Sequence, residues 1–319
     1  MALSYDPQIA AAMAPLIAAS AGVTPPAVGD WQTRRANAAL TMPGRFAKLP
    51  DSDRVVSRDF SLTRDDGAEL LLRWYEPPGR VGPGAALYVH GGGMIMGSVE
   101  LYDRAIASYV GGSAVPMLAV DYRIAPEHPH PVPVEDCYAG LVWLAEHAAE
   151  LGADPARIGI MGDSAGGGLA AAVTRLAHQR GGPALTRQIL IYPMLDDRTT
   201  VPDPELAGLA TWTWDDNITG WTGLLGDAAG GPDVPWSAAP ARAISPADLA
   251  GLPPAYIEVG DLDIFRAEDA AYAAGLSAAG VPAEFHVHPG CPHGFETTGV
   301  ATDVGMRARA DRIRALRRI

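Results

Sequence analysis

The stretch GDSAG at 162–166 decides the fold, because it places Ser164 among small residues between two apolar runs. The run at 157–161 predicts a short buried strand, and the run at 168–173 predicts a helix. A G-x-S-x-G motif between a strand and a helix is typical of a nucleophile elbow, a turn so tight that only small neighbours permit it. Ser164 would then lie at a helix N-terminus, where backbone N–H groups favour developing negative charge.

The remainder of the chain alternates short apolar runs with longer helical patterns. Strands are predicted at 55–62, 69–75, 85–89, 117–120, 158–161, 188–192, 255–259 and 283–287, and helices at 134–151, 167–179, 267–279 and 304–319. The first two strands alternate in polarity around Asp65-Asp66-Gly67, a hairpin signal. The later strands are continuously apolar, as strands buried on both faces are. The pattern predicts an α/β fold with a mainly parallel sheet covered by helices.

The sequence predicts a core in two parts with two helical additions. We expect the core at 51–195 and 246–319, and cap or surface helices at 1–50, broken by a Pro-Pro pair and by Pro43. The insertion at 196–245 is too long for a simple crossover between two strands and is rich in tryptophan. We favour a cap over a pocket rather than a small satellite core, because long insertions in compact domains usually carry function.

Composition and charge restrict the classes of partner. The 319 residues are 48% apolar and 19% charged, an ordinary globular composition, and the net charge is −13. An acidic surface argues against nucleic acid and against anionic membrane surfaces as partners. No stretch predicts a bilayer span, and the apolar run at 9–23 lacks the basic residues that begin a signal peptide. We therefore predict a cytoplasmic protein without stable membrane association.

A glycine-rich loop is the candidate oxyanion site. The sequence HGGG at 90–93 directly follows the predicted strand at 85–89. Consecutive glycines let backbone N–H groups turn into a concave site without obstruction by Cβ atoms. The N–H groups of Gly91 and Gly92, with that of Ala165 after the serine, would form an oxyanion hole. The alternative is an ordinary flexible glycine loop.

One of eight histidines is the candidate general base. His293 follows the last predicted strand, and the carboxyl end of a strand is where open α/β sheets place reactive side chains. His128 and His130 could suggest a metal pair, but no further ligands accompany them, so we predict loop packing and no metal site. Cys291, two residues before His293, is a disfavoured alternative nucleophile because no elbow surrounds it.

Two carboxylates compete to orient the histidine. Asp261 and Asp263 both follow the predicted strand at 255–259. Either would complete the order serine, aspartate, histidine along the chain, which is the order expected of an α/β-hydrolase and not of other serine hydrolases. The residues themselves leave this choice open.

With these residues in place, the chain resembles the hormone-sensitive-lipase-like group of α/β-hydrolases, also called bacterial family IV esterases. The matching motifs are HGGG at 90–93, DYRIAPE at 121–127, GDSAGG at 162–167, DIFR at 263–266 and HGF at 293–295. They follow the family's order from about residue 55 to the C-terminus. The family usually has Asp-Pro-Leu-Arg where this chain has Asp-Ile-Phe-Arg, so the aspartate and the arginine remain. Residues 1–50 and 196–245 occupy the family's two cap positions but match no motif.

The resemblance implies an α/β-hydrolase fold, with an eight-stranded, mostly parallel sheet flanked by helices and a helical cap. It favours Asp263 over Asp261, and thus a catalytic triad of Ser164, Asp263 and His293. It implies hydrolysis of carboxylic esters with short to medium acyl chains through an acyl-enzyme, without a cofactor. It also implies frequent homodimers.

The substrate pocket is expected beside the triad. We expect Asp163, Met94, Trp212 and Trp214 to line it and a small-molecule ester to occupy it. One alternative is a lactone, amide or thioester substrate for the same machinery, because all pass through a tetrahedral oxyanion. The other is a ligand-binding receptor on a hydrolase scaffold, which the presence of His293 disfavours because receptors of this family lack the catalytic histidine.

Overall fold

The computed structural model describes residues 3–50, 52–79 and 83–319. Eight strands form one sheet: β1 Val56–Thr63, β2 Glu69–Glu76, β3 Ala85–Val89, β4 Met117–Val120, β5 Ile158–Asp163, β6 Leu185–Ile191, β7 Ala255–Gly260 and β8 Ala283–His288. Their order across the sheet is β1-β2-β4-β3-β5-β6-β7-β8. Strand β2 pairs antiparallel with β1 and with β4, whereas the strands from β4 to β8 pair in parallel. The predicted eight-stranded, mostly parallel sheet is confirmed.

Ten α-helices surround the sheet in the described part of the chain. They are α1 Pro7–Ser20, α2 Trp31–Phe46, α3 Val99–Ser113, α4 Val132–His147, α5 Ala165–Arg180, α6 Trp214–Leu225, α7 Pro246–Leu249, α8 Arg266–Ala278, α9 Phe295–Thr298 and α10 Asp303–Leu316. Short 3₁₀ turns follow at Gly226–Ala228 and Pro240–Arg242. None of these described helices has the length and hydrophobicity needed to cross a bilayer.

The sheet is buried because helices pack on both of its faces. Helices α4, α5 and α8 contact β3 to β8 on one side, and α3 and α10 contact the sheet on the other. Every residue of β3, β5 and β7 is buried. The continuous apolar runs in the sequence therefore correspond to central strands, where neither face meets water.

Two local features differ from the sequence predictions. Helix α3 was not predicted, although Ser98 is a good N-cap residue whose hydroxyl accepts the N–H of Leu101 at 3.1 Å. Pro43 was expected to break a helix, but it lies inside the last turn of α2. Proline costs a helix least near an end, because few intrahelical hydrogen bonds remain beyond it.

The N-terminal helices and the insertion are joined by a buried arginine. Arg34 of α2 is 5% exposed and donates from Nε to Asp216 of α6 at 2.8 Å. Its remaining nitrogens donate to the carbonyls of Pro26, Ala27 and Asp30. These bonds fix the segment before α2 and the start of α6 against each other.

Candidate active site

The serine of the GDSAG motif occupies a strained turn between β5 and α5. Ser164 has φ 55° and ψ −123°, a conformation that non-glycine residues rarely adopt. A Cβ added to Gly166 would lie 2.1 Å from the carbonyl oxygen of Val89 in β3, so only glycine fits there. Because α5 begins at Ala165, the serine is also the N-cap of a 16-residue helix. The turn holds the hydroxyl at the carboxyl end of β5 and at the positive end of the helix dipole.

Ser164, His293 and Asp263 form a continuous hydrogen-bonded relay. His293 Nε2 lies 3.0 Å from Ser164 Oγ, and His293 Nδ1 lies 2.6 Å from Asp263 Oδ2. The other oxygen of Asp263 accepts the backbone N–H of Phe265 at 3.0 Å, which fixes the carboxylate. Asp263 is 1% exposed and Ser164 is 5% exposed. These distances are within the reach needed for proton transfer from a hydroxyl to an imidazole.

Charge around the imidazole sets its protonation. Burial lowers the pKa of His293, but the negative charges of Asp263, Glu296 and Asp163 outweigh burial, so the pKa is raised above its ordinary value. Asp263 makes the largest of these opposing contributions and also bonds the ring directly. The imidazole is therefore a stronger base than an isolated histidine.

The loop that carries His293 is fixed from three sides. Asp261 accepts the N–H of Gly290 at 2.6 Å, and the hydroxyl of Thr211 donates to the carbonyl of His293 at 2.6 Å. The edge of the Tyr192 ring packs on the imidazole with ring centroids 4.5 Å apart. Asp261 thus positions the loop, whereas Asp263 contacts the ring.

Asp163 is a buried carboxylate held by two phenols. The hydroxyls of Tyr88 and Tyr102 donate to its two oxygens at 2.7 and 2.9 Å. Burial raises the pKa of Asp163, although the two hydroxyls favour the charged form. A Cβ added to Gly91 would lie 2.5 Å from Asp163 Oδ2, so the aspartate packs directly on the glycine loop.

The glycine loop lies beside the serine with its amides available. Gly92 has φ 119°, and its carbonyl accepts the N–H groups of Ile95 and Met96. The N–H groups of Gly91 and Gly92 bond no acceptor among the described residues. The N–H of Ala165 has no intrahelical acceptor because it begins α5. These three amides are therefore free to bind a ligand oxygen.

A cavity of about 340 Å³ opens from the relay. Ser164, His293 and Gly92 line it together with Asp163 and Trp212. Its remaining walls come mainly from α2, α3, α9 and α10, so the N-terminal segment, the insertion and the core all contribute. The reactive groups thus meet a space large enough for a small organic molecule.

Comparison with known proteins agrees with this geometry. The family model for the alpha/beta hydrolase fold matches residues 86–297. The chain belongs to this family.

The similar proteins include bacterial and archaeal esterases. Carboxylesterase NlhH of Mycobacterium tuberculosis is 35% identical over 282 residues, which cover 87% of this chain and 85% of that protein. Ethyl acetate hydrolase of Pseudomonas putida is 32% identical over 257 residues, 76% of each chain. A bacterial heroin esterase superposes with a TM-score of 0.86 at 35% identity over 99% of this chain and 98% of the other. These relatives bear out the resemblance to the hormone-sensitive-lipase-like group of α/β-hydrolases.

Two pocket residues predicted from the sequence of this α/β-hydrolase do not line the cavity. Met94 is fully buried in the main core, and its φ of 61° places it in the left-handed turn after the glycine loop. Met96 lines the cavity instead. Trp214 is the first residue of α6 and is buried in the same core. Asp163 and Trp212 do line the cavity, as expected.

The disfavoured alternatives have structural roles. Burial raises the pKa of Cys291 to about 12, so its thiol is protonated at neutral pH and is a poor nucleophile. His90 is buried with its ring stacked on Tyr122, and the Tyr122 hydroxyl donates to the His90 carbonyl at 2.9 Å. His130 bonds Ser237 at 3.0 Å.

Sequence reasoning missed the polar residues behind the relay. Glu296 accepts from the Tyr192 hydroxyl and pairs with Arg312 at 2.9 Å, and Arg312 also pairs with Glu258. Tyr102 bonds Asp163 from α3, the helix that was not predicted. The only signal in the sequence was a glutamate three residues after His293.

Proposed function

We propose that Ser164, His293 and Asp263 hydrolyse carboxylic esters with short to medium acyl chains through an acyl-enzyme. The chain is a carboxylic ester hydrolase by its family and by its esterase relatives. The single observation that carries the proposed mechanism is the relay from hydroxyl to imidazole to carboxylate at 3.0 and 2.6 Å.

Each residue has one role in the proposed reaction. His293 Nε2 takes the proton from Ser164 as its oxygen attacks the ester carbonyl, and the amides of Gly91, Gly92 and Ala165 bind the oxyanion. Collapse of this intermediate expels the alcohol, to which His293 returns the proton. His293 then activates a water that attacks the acyl-enzyme and releases the acid. Asp263 holds the tautomer in which Nε2 is unprotonated.

We also propose that residues 1–50 and 196–245 act as a cap over the cores at 51–195 and 246–319. Support comes from the cavity walls, to which α2 and the insertion contribute Met42 and Trp212. The bond between Arg34 and Asp216 ties the two cap segments together. Homodimers and a cytoplasmic location remain proposals that rest on the resemblance and on the sequence.

Turnover of matched substrates tests the proposed reaction. A panel of p-nitrophenyl esters with increasing acyl length, measured beside matched anilides and lactones, should show fastest turnover for short to medium esters. Ser164→Ala should lower kcat by on the order of 10⁴-fold or more without changing the folded state. Faster turnover of a non-ester class would contradict the proposal.

A further inference from the structure

The cavity carries more positive than negative side chains, although the whole chain is acidic. The lining cations are Arg34, Arg45, Arg309 and Arg312, and the lining carboxylates are Asp163, Asp216 and Glu296. The chain as a whole has a net charge of −13. A local excess of cations within an acidic protein favours an anionic ligand at that place.

Most of these charges already have partners inside the protein. Arg34 pairs with Asp216 at 2.8 Å, and Arg312 pairs with Glu296 at 2.9 Å. Arg309 donates to the carbonyl of Ser108 at 2.9 Å. Asp163 accepts hydrogen bonds from two tyrosine hydroxyls.

Arg45 is the exception. Its guanidinium makes no hydrogen bond or ion pair with any described residue, yet it lines the cavity. The side chain is exposed where the cavity opens to solvent, and the partial loss of hydration on the cavity wall lowers its pKa. Arg123, which pairs with Asp66 and Asp136, has a raised pKa instead. An unpaired guanidinium at a pocket wall is a ready partner for a carboxylate.

Several of the residues near Arg45 on the cavity wall are apolar. Met42 and Phe46 of α2 and Leu49 just after it also line the cavity, and the centroids of the Phe46 and Tyr102 rings are 5.0 Å apart. These side chains favour contact with a hydrocarbon part of a ligand. A ligand that follows this wall therefore needs an apolar spacer that ends in a charged group.

We propose that this site takes esters that carry a carboxylate at the end remote from the scissile bond, and that Arg45 binds that carboxylate. The inference rests on the proposed esterase function and names its substrate class. The spacer packs on Met42, Phe46 and Leu49 while the scissile carbonyl lies at Ser164. Arg45 determines specificity and takes no part in the bond-breaking steps.

Paired substrates test this inference. Monoethyl esters of dicarboxylic acids with increasing spacer length are compared with ethyl esters of the matched monocarboxylic acids. Acetates of ω-hydroxy acids are compared with acetates of the matched alcohols, so that either side of the ester may bear the charge. We expect the wild type to prefer the anionic member in at least one pair. Arg45→Met should lower the ratio of kcat/KM between the anionic and neutral members by about 10- to 100-fold, mainly through KM.

Controls separate the charge from the fold and from the esterase function. Lys48→Met removes an exposed cation near Arg45 that does not line the cavity, and should leave the ratio at its wild-type value. Arg45→Lys should retain part of the preference, and added salt should reduce it in the wild type. Preference for the neutral member in every pair, or an unchanged ratio in Arg45→Met, would overturn the substrate class alone. Failure of the wild type to hydrolyse either member of any pair would overturn the esterase function together with this inference.

Discussion

At the scale of single residues, two neighbouring aspartates divide the work of holding His293. Asp263 bonds the imidazole at 2.6 Å, whereas Asp261 bonds the backbone of Gly290 in the same loop. Asp263→Asn should lower kcat by on the order of 10⁴-fold, because an amide opposite Nδ1 favours the wrong tautomer.

Asp261→Asn is the matched control for that change. The amide oxygen can still accept the N–H of Gly290, so we expect kcat within about tenfold of the wild type. Steady-state kinetics on one p-nitrophenyl ester compares both variants. A larger loss in Asp261→Asn than in Asp263→Asn would show that the orienting carboxylate has been assigned to the wrong residue.

The pH dependence of turnover reports the charge around His293. The imidazole must be neutral to accept the serine proton, and its pKa is raised, so kcat/KM should fall as pH decreases through a value above 6.5, the ordinary histidine pKa. Glu296 contributes to that rise. Glu296→Gln should therefore move the acidic limb of the kcat/KM profile to lower pH, whereas Glu150→Gln on the exposed surface should not. An unchanged limb in Glu296→Gln would contradict this electrostatic account.

At the scale of elements, Arg34 connects the two proposed cap segments. Arg34→Met removes its bond to Asp216 and three bonds to the carbonyls before α2. Local opening should become easier by about 1.4 kcal/mol or more, so thermolysin should cleave within residues 14–30 on the order of tenfold faster. Mass spectrometry of the first fragments locates the cleavage.

The control for that experiment is Arg54→Met, which removes an exposed arginine outside these contacts. Its cleavage rate should match the wild type. Equal cleavage rates in Arg34→Met and Arg54→Met would show that Arg34 does not hold the cap segments together.

The elements that the sequence predicts well are those whose burial is uniform. Strands β3, β5 and β7 are buried along their whole length, so each appears in the sequence as an unbroken apolar run. Helix α3 is less evident, because its buried face includes Tyr102, Ser108 and Tyr109, which a search for apolar periodicity undercounts. Helix α2 continues past Pro43 since only its last turn is affected.

At the scale of the whole molecule, a buried acid makes stability depend on pH. Asp269 of α8 is fully buried, neither of its oxygens has a hydrogen-bond partner among the described residues, and burial raises its pKa well above the ordinary value. At a pH between its unfolded and folded pKa values, the carboxyl is neutral when folded and ionised when unfolded. The contribution of Asp269 to the free energy of unfolding is therefore complete below about pH 4. It decreases by up to about 1.4 kcal/mol per pH unit as the pH rises toward the folded pKa.

Asp269→Asn removes this titration while it keeps the size of the side chain. The free energy of unfolding is measured with urea between about pH 5 and about pH 8, where Asp269 is expected to affect it. It should fall less steeply with rising pH in this variant than in the wild type. Burial raises the pKa of Glu268 to about 8, so Glu268 contributes part of the pH dependence of the free energy of unfolding in both proteins. Asp233→Asn on the exposed surface should leave the slope unchanged. An equal slope in Asp269→Asn and the wild type would contradict the assignment.

The sequence predicts the three residues of the hydrogen-bonded relay better than it predicts the cavity around them. Ser164 and His293 stand in motifs at the ends of strands, where local context identifies them. The cavity instead combines Arg45 from α2, Trp212 from the insertion and Arg312 from α10, which only the tertiary fold brings together. Met94 and Trp214 were misplaced for this reason, since their neighbours in the sequence do not reveal which side of the backbone meets the core.

The central claim is that the relay of Ser164, His293 and Asp263 is the reactive centre. The most direct test is to identify the residue to which a fluorophosphonate binds covalently. Intact-mass and peptide analysis of the folded protein should show a single adduct on Ser164, absent in Ser164→Ala. Replacement of His293 by alanine should slow its formation by on the order of 10³-fold or more, since the hydroxyl then lacks its base. An adduct on another residue, or none on folded protein, would contradict the relay as the reactive centre.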